Sequence, residues 1–351
     1  MKFTLVATAK DEGPYLFEWV AWHRMIGFDD IILFQNDSSD GTHEILTEMQ
    51  AAGLVRYRYN RAPRGKHQIR AYTRATRQPE YQAADYVMAL DLDEFLVVHV
   101  GAGNVRDFVA AAPDFDYAML NWRQFGSSGH ARTPEGLVTE NFIMSEYNDT
   151  IKHHCMPFKS LFRRDRFERP GVHIPLSAPG QPAPRRVNGS GLREGECEVR
   201  NFQVDDPQGR RLAQVNHYIV KDAESFVLKN AKGSAHQANR AIDRDYWCKR
   251  NKNQCLDRSL ARRAGKLRAA MARMDAETGG RLSALTAEAR AHHRARFAAL
   301  MTTPDARALF EFCRDRPQLK GPERLSLFAP RKTDPQAAPA ARPDAHAQPA
   351  V

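Results

Sequence analysis

The sequence predicts an α/β protein with a Rossmann-like, mixed but mainly parallel sheet, covering helices and a C-terminal helical extension. Two observations lead to this prediction. Strand-like and helix-like segments alternate over residues 1–100, which is typical of parallel sheets covered by helices. Residues 257–300 are rich in Ala, Arg and Leu, which favours helices. Apolar residues make up 42% of the 351 residues, which excludes a wholly disordered polymer.

The first hundred residues contain four short apolar runs that we expect to be strands: 3–8, 30–34, 54–59 and 86–90. Helical spacing of apolar residues lies between them, in segments 14–26, 42–52 and 66–77. Pro14 suits a helix start, and Gly27 and Gly53 suit helix ends. In such sheets ligands bind beyond the carboxyl ends of the strands, so polar residues at those ends are candidate site residues.

The later segments are less regular. Short strands are expected at 117–122, 160–163 and 215–220. Residues 178–211 are rich in Pro, Gly and Arg and are expected to form a long flexible loop. Helices after residue 257 should break at Gly279 and Gly280, and the tail rich in Ala, Pro and Gln should be disordered. We therefore expect three units: a domain over 1–248, a basic helical extension over 249–328 and a disordered tail over 329–351.

The net charge of +10 is concentrated in one segment. Residues 249–297 contain 13 basic and four acidic residues, whereas residues 1–248 are close to neutral. This distribution argues against a uniformly basic body that binds nucleic acid, and it leaves peripheral contact of 249–297 with an anionic membrane as an expectation. The five cysteines show no CxxC spacing, and no signal peptide or 18-residue apolar run is found. A cytoplasmic protein with reduced thiols is expected.

Two polar elements follow predicted strands. Asp91-Leu-Asp93 is one of three D-x-D patterns and the only one that follows an apolar strand. Two such carboxylates can hold Mg²⁺ or Mn²⁺ against a diphosphate, although a solvated turn would explain them as well. Segment 36–42, Asn-Asp-Ser-Ser-Asp-Gly-Thr, suits a helix cap, and its carboxylate or amide groups could also bind a base or ribose.

Several motifs in order resemble glycosyltransferases with the GT-A fold, in the family 2-like group that includes glycosyltransferase family 92. The matching segments are 8–23, 27–30, 36–42, 91–95, 122–130, 159–163, 172–173 and 216–233. The resemblance implies an enzyme that moves a sugar from a nucleotide sugar, usually a UDP-sugar, to a glycan or lipid-linked acceptor. It places the nucleotide in residues 1–100 and the acceptor in residues 101–248, and it implies a role in polysaccharide biosynthesis.

The resemblance also implies roles for single residues. It assigns a divalent cation, Mn²⁺ or Mg²⁺, to Asp91, Asp93 and His217. The donor contacts it implies are Thr8, Lys10, Glu12, Asn36, Asp37, Asp91, Lys221 and Lys229. Lys232 is a further candidate for the diphosphate.

The acceptor side is less defined by sequence. Trp122 and Phe125 could stack on an acceptor sugar, or pack in the core, and His130 lies in an expected acceptor loop. Inverting transfer needs a general base near the acceptor hydroxyl. Glu135, Glu140 and Glu168 are candidates, and the family-like spacing favours Glu140.

Two other functions remain open from sequence alone. A haloacid-dehalogenase-type phosphatase could use Asp91 as nucleophile and Asp93 as acid, but Glu94 and Phe95 and the fourth-strand location argue against it. A basic helical module over 249–297 could bind membrane or nucleic acid on an inert scaffold. That function would leave the acidic strand ends unexplained.

Overall fold

The computed structural model describes residues 1–63, 65–233 and 241–318. The predicted tail, 329–351, and the last residues of the predicted extension lie outside the described residues. The strands are β1 Phe3–Ala9, β2 Asp30–Gln35, β3 Arg56–Tyr59, β4 Tyr86–Ala89, β5 Glu94–Val98, β6 Tyr117–Gln124, β7 Met144–Ser145, β8 Met156–Arg163, β9 Arg186–Asn188, β10 Val199–Arg200, β11 Gln203–Val204, β12 Ala213–His217 and β13 Cys255–Leu256.

The helices cover the sheet and continue after it. They are α1 Gly13–Met25, α2 Thr42–Ala51, α3 His67–Ala75, α4 Pro79–Gln82, α5 Val105–Ala111, α6 Val138–Asn141, α7 Thr150–His153, α8 Ala223–Lys232, α9 Arg244–Arg250, α10 Ala264–Glu277, α11 Arg281–Leu300 and α12 Pro304–Arg314. Short 3₁₀ turns occupy Arg164–Arg166 and Ala261–Arg263. The predicted break at Gly279 and Gly280 is confirmed, because both have positive φ angles between α10 and α11.

The α/β prediction is confirmed, and the sheet is mixed. Its main path runs β3-β2-β1-β4-β8-β6-β12-β5. Strands β3, β2, β1 and β4 are parallel, β8 is antiparallel to both β4 and β6, and β12 is parallel to β6 and antiparallel to β5. The carboxyl ends of β1, β2, β4, β6 and β12 therefore share one rim of the sheet with the amino ends of β5 and β8.

Helix α1 is tied to β5 by hydrogen bonds from its side chains. The indole N–H groups of Trp19 and Trp22 donate to the carbonyls of Glu94 and Leu96, at 2.8 and 2.9 Å. The Leu96 N–H donates to Nε2 of His23 at 3.4 Å, while Nδ1 of His23 contacts the Trp19 carbonyl at 2.8 Å. Burial lowers the pKa of His23 to about 3, so its ring is neutral and can accept at Nε2.

The C-terminal helices pack on the sheet domain. Leu267 of α10 and Leu282 and Leu285 of α11 belong to the same buried cluster as the apolar face of α1. Helix α12 packs against α8, around Phe310 and Phe226. Helices α10 and α11, which lie in the predicted extension, therefore share the main hydrophobic core, whereas α12 belongs to a second buried cluster with α8.

Three features differ from the sequence prediction. Glu94–Val98 forms a buried strand that was not predicted, because its five residues follow the D-x-D turn with no intervening helix. The stretch 178–211 was expected as a loop, but it contains β9, which pairs with β6, and the β10-β11 hairpin. Helix α12 lies in the predicted helical extension, but beyond the segment 257–300 that was expected to be helical from its composition. Among the described residues, no helix combines the length and apolarity needed to cross a membrane.

Candidate active site

A cleft of about 250 Å³ opens at the rim where the carboxyl ends of the strands meet. The D-x-D turn between β4 and β5 forms its floor, with β1 on one side and β12 and α8 on the other. Its lining side chains are mostly polar or charged: Thr8, Lys10, Glu12, Asn36, His67, Gln68, Asp91, Asp93, Trp122, Lys159, His173, His217, Lys229, Lys232, Tyr246 and Arg250. The cleft therefore combines carboxylates with several cations.

Asp91 is held by two groups from different elements. Nε2 of Gln68 in α3 donates to Oδ1 at 2.8 Å, and Nζ of Lys159 in β8 donates to Oδ2 at 3.0 Å. Lys159 also lies 3.2 Å from Glu94, which accepts from the Asp91 N–H at 2.9 Å. Burial raises the pKa of Glu94 well above its ordinary value despite the nearby Lys159. Lys159 therefore lies between the Asp91 and Glu94 carboxyl groups.

Asp93 faces a second cation and a histidine. Nζ of Lys229 in α8 lies 3.1 Å from Oδ2, and Nε2 of His217 lies 3.5 Å from Oδ1. Burial alone would raise the pKa of Asp93, but Lys229 and His217 hold it well below its ordinary value. Burial lowers the pKa of His217, although Asp93 opposes this effect, so the imidazole is neutral. Asp93 is therefore a charged carboxylate beside a neutral ring nitrogen.

Two further lysines lie beside the end of β1. Nζ of Lys232 pairs with Glu12 at 2.6 Å and also donates to the Lys10 carbonyl. Lys221 is buried, with Nζ 4.2 Å from the centre of the Tyr15 ring, and burial lowers the pKa of its ammonium group. Its φ of 53° is uncommon for a residue with a side chain and favours a functional reason for the conformation.

An aromatic row leads from the cleft to the surface. The Trp122 ring lies 4.4 Å from His217 and 5.3 Å from His173, measured between centroids. His173 stacks on Phe202 at 4.8 Å, with 20° between the ring planes. Phe202 is 44% exposed. Aromatic faces of this kind bind the apolar faces of sugars as well as other rings.

The cleft offers two side chains that fit a divalent cation. No group of three or more His, Cys, Asp or Glu side chains among the described residues is placed to hold a metal ion. Asp93 and His217 nevertheless face each other, and Nδ1 of His217 is buried without a hydrogen-bond partner. Mg²⁺ and related ions are commonly held by one or two protein ligands together with substrate phosphates. Asp93 and His217 therefore fit such a cation, although Oδ2 of Asp93 also contacts Lys229, and both oxygens of Asp91 bind Gln68 and Lys159.

The structure brings most of the predicted site residues together. Ten of them line the cleft: Thr8, Lys10, Glu12, Asn36, Asp91, Asp93, Trp122, His217, Lys229 and Lys232. Lys221 lines a smaller cavity that shares Glu12, Asp93, Lys229 and Lys232 with the cleft. Asn36 is fixed by a 2.7 Å hydrogen bond from Asn60.

Four predicted residues lie apart from the cleft lining. Asp37 accepts a short hydrogen bond from Tyr59 and lines a separate surface pocket. Phe125 is buried against Tyr218, with 4.7 Å between ring centroids. His130 packs on Phe142. Glu140 binds the Arg268 guanidinium, so its role as general base stays a prediction.

Several cleft residues had no assigned role in the sequence prediction. Lys159 and His173 lie in matched motifs, but nothing local indicates that they reach the D-x-D. The available indication for Lys159 was its position among the apolar residues of a strand. Lysine is almost never fully buried unless it is paired, so a buried lysine there indicates a nearby carboxylate. Gln68, Tyr246 and Arg250 lie on helices whose sequences resemble ordinary surface helices.

Comparison with known proteins identifies one family. A model of glycosyltransferase family 92 matches residues 9–245, which is more than half of the chain. A glycosyltransferase family 92 protein of Oryza sativa subsp. japonica is 25% identical over 138 residues. That match covers 38% of this chain and 23% of the rice protein, so the chain spans less than a quarter of that relative's length.

Solved structures give partial superpositions. Residues 1–349 of S. aureus TarS in complex with UDP superpose with a TM-score of 0.30 and 15% identity, over 47% of each chain. The same TarS fragment in complex with UDP-GlcNAc superposes with a TM-score of 0.27 and 12% identity. This second superposition covers 85% of this chain and 89% of that chain.

Proposed function

Because the chain belongs to glycosyltransferase family 92, we propose that it transfers a sugar from a nucleotide sugar, a UDP-sugar, to an acceptor hydroxyl. The observation that carries the proposal is the D-x-D turn at the sheet rim, where Asp91 and Asp93 are each paired with a lysine from another element. Fixed positive charges at this position stabilise the negative charge that develops on a diphosphate leaving group.

The donor would lie across the ends of β1 and β2. Thr8, Lys10 and Asn36 border the cleft there and offer backbone and amide groups to the nucleoside. The diphosphate would lie between Lys229 and Lys232, close to Lys221, because these lysines border connected cavities. This arrangement separates the neutral nucleoside from the charged diphosphate.

A divalent cation, Mn²⁺ or Mg²⁺, would be held by Asp93 and His217 together with phosphate oxygens. When bound, such a cation neutralises charge on the diphosphate and polarises the bond that breaks. Asp91, held by Gln68 and Lys159, would orient the donor from the opposite side of the turn. These assignments give the two carboxylates of the D-x-D different tasks.

The acceptor would be a glycan or lipid-linked sugar that approaches along Trp122. Its hydroxyl oxygen would attack the anomeric carbon from the side opposite the diphosphate. The bond from that carbon to the diphosphate oxygen breaks, the electron pair leaves with UDP, and the configuration inverts. The transfer also requires removal of the hydroxyl proton.

Calorimetry with UDP tests the proposal directly. We expect the purified chain to bind UDP more tightly with Mn²⁺ than with EDTA, and Asp93→Ala to lose the difference. Asp149→Ala is the matched control, because Asp149 is 71% exposed and pairs with Lys152. No UDP binding by the wild-type chain with or without Mn²⁺ would contradict the proposed donor. Hydrolysis of UDP-glucose, UDP-galactose and UDP-GlcNAc would then rank the donor sugars.

Contact of residues 249–297 with an anionic membrane stays a prediction, as does the cytoplasmic location. Several basic side chains of this segment bind the sheet domain: Arg263 donates to the Gly103 carbonyl, Arg268 binds Glu140, and Arg296 lies 3.4 Å from Asp11. Cosedimentation with phosphatidylserine vesicles, compared with phosphatidylcholine vesicles, measures whether the remaining charge is sufficient.

A further inference from the structure

We propose that His293 and Arg296 of α11 are positioning residues for the donor, an inference that rests on the proposed function. Their side chains contact the two loops that follow β1 and β2, and both loops carry residues of the cleft. Helix α11 lies beyond residues 9–245, the part of the chain that matches the family model. On this inference the C-terminal extension belongs to the donor site.

His293 holds the carboxylate that fixes the start of α1. Its Nε2 lies 2.8 Å from Oδ2 of Asp40, a residue that is 1% exposed. The same oxygen accepts a 2.9 Å hydrogen bond from the Gly13 N–H. Oδ1 of Asp40 accepts from the Thr42 hydroxyl, which in turn accepts from the Glu12 N–H at 3.0 Å. The backbone of residues 12 and 13 therefore depends on the position of Asp40.

Arg296 contacts a residue in a strained backbone conformation. Its Nη1 lies 3.4 Å from Oδ2 of Asp11, whose φ of 49° is uncommon for a residue with a side chain. Such a conformation persists only where several contacts fix it. The Asp11 N–H donates to the Ser38 hydroxyl at 3.0 Å, and its Oδ1 accepts from the Ser39 N–H at 2.8 Å. Arg296 adds a contact from the side of α11.

Helix α11 also packs closely on the start of α1. A Cβ added at Gly13 would lie 2.8 Å from Cβ of Ala289 and 3.0 Å from the Asp40 carbonyl oxygen. A side chain at position 13 would therefore push α11 and the loop after β2 away. His293 and Arg296 thus act across an interface that has little room to adjust.

The loop after β1 in turn holds Lys232, a proposed diphosphate ligand. Nζ of Lys232 donates to the Lys10 carbonyl and lies 2.6 Å from Oε1 of Glu12. Lys232 reaches these groups from the end of α8, so the position of its ammonium group depends on where the loop lies. His293 and Arg296 border the same small cavity, of about 50 Å³, as Lys232. The contacts of α11 therefore act on Lys232 through the loop.

A double-mutant cycle tests the positioning role. Calorimetry with UDP and Mn²⁺ compares wild type, Arg296→Met, Lys232→Met and the variant that carries both substitutions. We expect UDP binding to weaken by about tenfold in Lys232→Met and by about fivefold in Arg296→Met, because a charge-assisted contact is lost or displaced. Since Arg296 acts through Lys232, the double variant should bind like Lys232→Met, rather than about 50-fold more weakly than wild type. Arg294→Met, at a side chain of α11 that is 58% exposed, should bind UDP like wild type.

Conservative replacement separates the hydrogen bond of His293 from its volume. His293→Gln keeps an N–H that can donate to Asp40, whereas His293→Leu does not. We expect His293→Gln to bind UDP within about twofold of wild type and His293→Leu to bind it about fivefold more weakly. His292→Leu, at an exposed histidine of the same helix, is the matched control. Circular dichroism checks that each variant is folded, and the Arg296 cycle decides if His293→Leu is not.

The contrary outcomes are distinct. Unchanged UDP affinity in Arg296→Met overturns the inference alone, and so do additive losses in the cycle, because Arg296 would then act independently of Lys232. Equal losses in His293→Gln and His293→Leu overturn the part assigned to His293. Unchanged affinity in Lys232→Met removes the group through which α11 acts and overturns the inference as well. Failure of the wild-type chain to bind UDP overturns the proposed function and this inference with it.

Discussion

Lys159 places its ammonium nitrogen 3.0 Å from Oδ2 of Asp91 and 3.2 Å from Oε2 of Glu94, and its side chain has no exposed surface. Burial alone would lower the pKa of Lys159, but the two carboxyl groups raise it above its ordinary value. The buried lysine is therefore charged. It fixes the first residue of the D-x-D from a strand 68 positions away in sequence.

Removing that cation should destabilise the fold. In Lys159→Met, Asp91 and Glu94 lose their buried partner, so we expect the free energy of unfolding to fall by about 3–5 kcal/mol. Urea denaturation followed by circular dichroism measures the change. Lys66→Met is the matched control, because Lys66 is exposed at the residue before α3. A loss below about 1 kcal/mol in Lys159→Met would contradict the assignment of a compensated buried charge.

Lys229 should contribute to diphosphate binding. We expect Lys229→Met to weaken UDP binding by roughly tenfold, equivalent to about 1.4 kcal/mol, because one charge-assisted contact is lost. Uridine, which lacks the diphosphate, should bind both proteins equally. Lys249→Met serves as control, since that side chain is 76% exposed. Equal weakening of uridine and UDP would instead indicate that Lys229 supports the cleft structurally.

Asp40 makes stability depend on acid pH. Burial alone would raise the pKa of Asp40, but hydrogen bonds with His293 at 2.8 Å and with Thr42 lower it to about 2. A depressed carboxyl pKa stabilises the fold above the unfolded value near 4, and this stabilisation is lost as pH falls from about 4 to 2. The contribution is about 2 kcal/mol.

Asp40→Asn measures this contribution. The variant should be less stable than wild type at pH 6, and the difference should shrink as the pH falls towards 2. Thermal unfolding at a series of pH values gives both curves. Asp305→Asn, at an exposed position of α12, should show a difference that does not change with pH. A constant difference for Asp40→Asn would mean that its ionisation does not contribute.

The C-terminal helices should unfold together with the sheet. Leu285 of α11 is buried in the main cluster, so Leu285→Ala should cost about 2–5 kcal/mol and lower the single unfolding transition of the whole chain. Leu256→Ala removes a leucine that is 40% exposed and should cost much less. Two separate transitions, with only one shifted by Leu285→Ala, would show that the helices form an independent unit.

Local sequence pattern predicted the first half of the fold well. The strands β1 to β4 and the helices between them were expected because hydrophobic periodicity and Pro14, Gly27 and Gly53 indicate them directly. The placement of Asp91 and Asp93 at the sheet rim followed from the same alternation. Strand β5 was not expected, since it follows the D-x-D turn without a helix and runs antiparallel to β12.

Long-range pairing determined what sequence could not show. Met88 of β4 lies opposite Leu161 of β8, and this antiparallel register brings Lys159 beside Asp91. His173 reaches the cleft because its loop folds back on Phe158. Neither contact can be predicted from the spacing of residues along the sequence. Lys159 and His173 could therefore be matched to motifs, but no role could be assigned to them. Glu140, favoured by spacing, binds Arg268 because α10 packs nearby.

The bonds from α1 to β5 have a consequence for association between molecules. Trp19, Trp22 and His23 occupy the outward N–H and carbonyl groups that β5 would otherwise offer to a further strand. At the opposite end of the sheet, β3 carries Arg56 and Arg58. Charged side chains at such a margin disfavour pairing with a second chain. Both ends of the sheet are therefore protected against strand-by-strand aggregation.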